Sequence, residues 1–156
     1  PLKYRTDVAM MGKMGYDIVV SKLDEKELQF SQQALANYKS ISGMVWHGNL
    51  FRLVNPWEKP FASLLFVNEN KNRAVVFSYL TNYRHTNTAA SAMPVRLKGL
   101  NPEKKYRMNE INLFPGTRST LAADLVLSGE YLMTVGFNPD VSTRRTSVIV
   151  TVEEVK

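Results

Sequence analysis

The chain changes its hydrophobic period at Gly43. Before it, Leu28, Ser31, Leu35, Tyr38 and Ile41 lie close to one helical face with Ala34 beside them, while Gln32, Gln33, Asn37 and Lys39 fall mostly elsewhere. Asp24 stands at the N-cap position, Glu27 three residues on completes a capping-box pair, and the early acids suit the helix dipole. Gly43 is a natural stop, so the pattern predicts a helix from Glu25 to Ser42. After Gly43 the period becomes two. It predicts strands at Leu50–Val54, Ala62–Asn68, Ala74–Thr81, Val95–Leu97, Lys105–Leu113, Leu121–Leu127, Glu130–Val135 and Ser147–Val152, the run from Leu121 being the weakest. Turn residues separate several of them, at Asn68–Asn72, Gly99–Pro102, Ser128-Gly129 and Asn138-Pro139-Asp140. Short strands at hairpin spacing predict an antiparallel β-sandwich. Arg84–Met93, rich in Thr, Ala, Ser and Asn, reads as an exposed loop.

The N-terminal stretch has a different character. Val8-Ala9-Met10-Met11, followed by Gly12 and Gly15, reads as one buried strand leading into the helix. A single strand-plus-helix unit forms no sheet of its own, because the strand's backbone groups lack a neighbour. The expectation is therefore a piece of something larger that begins without an initiator methionine. Residues 1–43 would be the last βα unit of a barrel or parallel sheet, and residues 44–156 a complete β domain.

Composition narrows the chemistry. The 156 residues, 44% hydrophobic and 22% charged, are ordinary for a globular chain with a real core. With no cysteine there are no disulfides, thiolate metal sites or cysteine nucleophiles. No apolar run approaches the roughly 18–20 residues that span a bilayer, so no membrane partner is expected. No signal peptide is visible, and the compartment stays open between cytoplasm and periplasm. The formal charge of +6 comes from scattered residues, with runs only at Lys104-Lys105 and Arg144-Arg145, and no nucleic-acid motif accompanies them. Solvated surface charge is the reading taken, not nucleic-acid binding.

Several segments carry a resemblance in order along nearly the whole chain. Pro1-Leu2…Arg5…Val8–Gly12…Gly15-Tyr16-Asp17 is similar to the eighth-strand region of the family 36 glycoside hydrolases, the microbial α-galactosidases. Gln32-Gln33-Ala34…Asn37-Tyr38-Lys39 resembles the helix that follows. Trp46-His47-Gly48-Asn49-Leu50-Phe51-Arg52-Leu53 resembles the family's segment with His-Gly-Asp-Leu-Tyr-Arg-Leu, with Asn49 in place of the usual Asp. Pro94–Pro102, Tyr106-Arg107…Glu110-Ile111-Asn112 and Gly129–Gly136 resemble its C-terminal domain, whereas Arg84–Met93 matches nothing in it. The resemblance implies a remnant of a (β/α)8 barrel followed by the C-terminal antiparallel β-sandwich. It also implies that the catalytic carboxylates of a retaining α-galactosidase lie upstream, that the rest of the barrel is a partner, and that α-galactosides are met only through the longer enzyme.

Candidate chemistry within the chain is sparse. Retaining glycosidases need two carboxyl groups about 5–5.5 Å apart. Asp7 and Asp17 bracket the expected strand and would stand roughly 33 Å apart when extended, so structural roles are expected for both and no catalytic residue is assigned. Gly12, near the strand's expected C-terminal end, is the candidate for close approach of a sugar in the longer enzyme, with packing as the alternative. Met10, Met11 and Met14 read as packing. The two histidines, His47 and His85, are too few and too separated for a metal site, and His47 is expected to hydrogen-bond at the domain junction. No serine nucleophile elbow and no phosphate-cradling loop occur, so no cofactor or metal is implied. Trp46, Trp57, Tyr79 and Tyr83 raise the question of sugar stacking. Trp46 reads as packing between layers, and Trp57, between Pro56 and Pro60, is the candidate exposed ring. The alternative to a catalytically silent piece is a stand-alone carbohydrate-binding or assembly module. Bared apolar faces at Val8–Met11 and on the helix lead to the expectation that the piece self-associates, or that residues 1–20 refold against the β domain.

Overall fold

The structure, a computed structural model, describes residues 1–82 and 93–155. The elements run α1 (Leu2–Ala9), a 3-10 turn (Val20–Lys22), α2 (Glu25–His47), β1 (Asn49–Val54), β2 (Phe61–Val67), β3 (Arg73–Leu80), β4 (Lys105–Ile111), β5 (Val126–Ser128), α3 (Gly129–Thr134) and β6 (Ser147–Glu154). Six strands form one sheet in the order β1-β2-β3-β6-β4-β5, and every pairing is antiparallel.

The pleat sorts the core into two layers. Val76 of β3 faces Val150 of β6, and with Leu65, Met108 and Val152 they pack against Val95, Leu97, Leu132, Phe137 and Val141. On the other face Phe66, Val75, Phe77 and Ile149 pack against Ile41 and Met44 of α2 and Met10 at the end of α1. Phe30 and Ala34 of α2 meet Leu2 of α1 in a smaller cluster. The central strands β3 and β6 are thus covered on both sides, which is why they read as near-continuous apolar runs.

Six expectations are corrected. Val8–Met11 is not a strand. The segment belongs to α1 and the turn after it, because Leu2, Thr6 and Met10 recur every fourth residue and are all buried, while Val8 is 41% exposed. The helix predicted to stop at Gly43 continues to His47. Its capping box forms as expected, with the Asp24 side chain accepting from the Glu27 N–H at 2.8 Å, and Met44, buried against the sheet, holds the final turn in place. Glu130–Val135 is helical: Ser128 caps α3 by accepting from the Tyr131 N–H at 3.1 Å. Val95–Leu97 supplies only an isolated bridge, Val95 to Phe137, and the Leu121–Leu127 run gives only the short β5. With those strands gone, the described residues form a single sheet and not the two facing sheets of a sandwich. The layer opposite the helices is built from α3 and the segments holding Val95, Leu97, Leu100 and Val141. The Arg84–Met93 loop falls almost wholly outside the described residues, as do Tyr83 and His85.

Candidate functional site

The turn between β1 and β2 displays its aromatic ring rather than burying it. Asn55 organises the turn. Its carbonyl accepts from the N–H groups of Glu58 at 3.2 Å and Lys59 at 3.0 Å, its Oδ1 accepts from the Trp57 N–H at 3.1 Å, and its Nδ2 donates to Glu58 Oε1 at 3.0 Å. Trp57, at the tip, is 94% exposed. A cleft beside it is lined by Arg52, Val54, Trp57, Glu58, Ser63 and Leu64.

Gly12 lies elsewhere, in the turn that ends α1. It is exposed, a Cβ added there would meet nothing within 4 Å, and its carbonyl accepts from Tyr38 Oη of α2 at 2.7 Å. Gly12 and Trp57 sit in different turns, and Gly12 is not among the residues that line the cleft beside Trp57. Tyr38 Oη also accepts from Trp46 Nε1 at 3.2 Å, and Trp46 is 56% exposed, so its expected burial between layers is corrected. A position one residue from the helix end, on the side away from Ile41 and Met44, explains the exposure. His47, the last residue of α2, is exposed. Tyr79 is buried on the sheet and is no sugar platform; burial, with the neighbouring Asp7 charge, pushes its phenol above the usual range.

A polar cluster that the sequence did not suggest lies under α1. Asp7 is fully buried and accepts from Lys3 Nζ, four residues earlier on the same helix, and from Asn112 Nδ2 just beyond β4. Tyr79 Oη donates to the Asp7 carbonyl at 2.7 Å. Burial raises the Asp7 carboxyl above its ordinary value, and the Lys3 charge and the hydrogen bonds that the carboxyl receives act against that rise. The Lys3–Asp7 spacing was legible only on a helix, and the expected strand concealed it. The second buried carboxylate, Glu110, is 1% exposed at its side chain and takes Arg145 Nη2 at 2.9 Å on both oxygens. Both buried acids are thus held by cations in structural pairs. Asp17 is exposed beside a shallow cleft that includes Arg5, Thr6, Gly15 and Tyr16. Among the described residues no three His, Asp or Glu side chains gather as metal ligands.

With that geometry in place, three comparisons bear on the chain. The sequence profile of the glycosyl hydrolase family 36 C-terminal domain matches residues 61–152. "Alpha-galactosidase AgaA" of Geobacillus stearothermophilus is 34% identical over 115 residues, which are 74% of this chain and 15% of that protein. "Alpha-galactosidase C" of Emericella nidulans is 29% identical over 155 residues, 98% of this chain and 18% of that protein. The crystal structure of the GH36 alpha-galactosidase AgaB from Geobacillus stearothermophilus superposes with a TM-score of 0.81 at 30% identity, covering 99% of this chain and 19% of that one. The chain therefore spans less than a fifth of the length of these relatives.

Proposed function

This chain belongs to the glycosyl hydrolase family 36 C-terminal domains, and we propose on that footing that it is the non-catalytic C-terminal part of a retaining α-galactosidase acting on terminal α-galactosides. The observation that carries the reading is the superposition of 99% of the chain on 19% of AgaB, which leaves the bulk of such an enzyme outside these residues. The site geometry supports it. The buried acids Asp7 and Glu110 are each committed to a cation, and a glycosidase needs two carboxyl groups facing one glycosidic bond.

In this reading residues 1–43 belong with the barrel, and residues 44–156, which contain the whole match to the family profile, are the β domain packed beside it. The helical layer supplies the contact surface. Leu28, Leu35 and Trp46 of α2 are 40%, 42% and 56% exposed, and their spacings of seven and eleven residues align them along one side of the helix. A barrel packed there would bury an apolar stripe that the sheet does not reach.

The test is hydrolysis of an aryl α-galactoside. The 156-residue chain alone is expected to show no rate above a mock preparation, and the native gene product is expected to be several-fold heavier and active. Turnover by the short chain, or a native product of only 17.7 kDa, would remove this reading.

A further inference from the structure

Trp57 combines two properties that rarely coincide: it is 94% exposed, and its backbone is fixed by the Asn55 side chain on one side and by a proline on each flank of the turn, Pro56 and Pro60. A large aromatic ring displayed in water on a turn whose backbone is fixed stabilises nothing within the chain, and the ordered turn has less freedom left to lose on binding. The cleft beside it is neither an apolar groove nor a single-sign patch. Apolar Val54 and Leu64 line it together with one cation, Arg52, and one acid, Glu58.

We propose that the β1–β2 turn is a sugar subsite in which the indole of Trp57 stacks on the terminal galactose of an oligosaccharide. The axial O4 of galactose leaves its C3, C4 and C5 hydrogens together on one face of the ring. That face is a compact apolar patch of slightly positive C–H groups, and the electron-rich face of an indole is its complement. The outward hydroxyls are donors and acceptors at once. Arg52 offers only donors and Glu58 accepts, so the lining serves a neutral polyol better than it serves an ion of either sign. The galactosyl identity of the ligand rests on the proposed function; the stacking geometry does not. One ring and two charged side chains imply weak binding, with a dissociation constant on the order of 1–10 mM.

The experiment is a raffinose titration of the 156-residue chain followed by 1H–15N NMR, with maltotriose as the control sugar. The chain has two indoles, Trp46 and Trp57, so their N–H signals are resolved and assigned with Trp57→Ala. Raffinose is expected to shift the Trp57 indole saturably along with the amides of Arg52 and Leu64, to leave Trp46 in place, and to exceed maltotriose several-fold. In Trp57→Ala the amide shifts are expected to vanish while the core amides of Phe77 and Ile149 stay unchanged, which shows an intact fold. No saturable shift at Trp57, or an equal shift with maltotriose, overturns the subsite. Either result leaves the galactosidase activity of the longer gene product, the test of the domain reading, untouched.

Discussion

Asn112 donates its side-chain amide to the carboxylate of Asp7, joining the end of β4 to α1 across 105 positions of sequence. Asn112 does so from a left-handed backbone conformation, φ 60°, which an asparagine tolerates better than most residues. With Tyr79 on the Asp7 carbonyl and Tyr4 Oη donating to the Leu80 carbonyl at 3.1 Å, this bond fastens α1 to the sheet, while Lys3 neutralises the same carboxylate from within the helix. Removing one partner strands the others in a buried site. Asp7→Ala is expected to cost about 3 kcal/mol, with Asp7→Asn milder because its side-chain carbonyl still accepts from Asn112. Urea unfolding of the two variants and of Asn112→Ala checks this, and a double-mutant cycle that shows no coupling between positions 7 and 112 would refute it.

The same carboxylate gives a pH dependence. Its folded pKa lies above the ordinary value, so the native state binds more protons than the unfolded chain in the window between the two. The contribution of Asp7 is fully present below the unfolded value, near about pH 4, and is lost as pH rises through the folded value. The wild-type chain is therefore expected to lose stability relative to Asp7→Asn as pH climbs out of that range. Parallel denaturation series for the two proteins measure it; a difference that is flat with pH, or of opposite sign, would exclude the burial argument.

Ser63 and Ser78 face each other in the β2–β3 register with their hydroxyls 3.0 Å apart and no exposure. Either serine changed alone to alanine leaves a buried hydroxyl without its partner, at a cost of about 1–2 kcal/mol. The double change to alanine removes both needs together and is expected to be no worse than either single one. Thermal melts of the three variants decide; additive losses would sink the claim.

Two glycines should respond in opposite directions to alanine. At Gly136, φ is 84° and a Cβ would lie 2.3 Å from the Val95 carbonyl oxygen, at the bridge that brings Val95 to Phe137. Gly136→Ala is expected to cost about 2–4 kcal/mol through backbone strain and overlap. At Gly43 the backbone is helical and a Cβ would meet nothing within 4 Å, so Gly43→Ala is expected to gain about 0.5–1 kcal/mol. Chemical denaturation separates the two, and a stabilising Gly136→Ala would be the failing result.

Glu110 and Arg145 test the second buried pair. Arg145→Met leaves a carboxylate whose side chain is 1% exposed without its cation, which is expected to cost about 3–5 kcal/mol. The joint change Arg145→Met with Glu110→Gln should recover much of that loss. If the joint variant is as unstable as the single one, the cost lies in packing and not in charge.

What the sequence determined by itself is local and periodic. The capping box at Asp24 and Glu27, the helical face of α2, and the strands β1, β2, β3, β4 and β6 were legible because each depends on neighbours within a few positions. The order of family-like segments likewise indicated the C-terminal domain that the profile match then showed. What only the tertiary structure decided are the places where a distant partner overrules the local signal. A four-residue apolar run such as Val8–Met11 satisfies a strand and a helix equally, and it became helical because the sheet offers Tyr79 and Asn112 to that form. Gly43 stops a helix only when the chain is free to turn there, and burial of Met44 against the sheet prevents it. The Asp7 cluster could not be read in advance, since its members are spread along the whole chain and share one site only once the backbone has closed. Trp57 lies between these cases: flanking prolines made its exposure legible, but only the folded turn set Arg52 and Glu58 beside the ring.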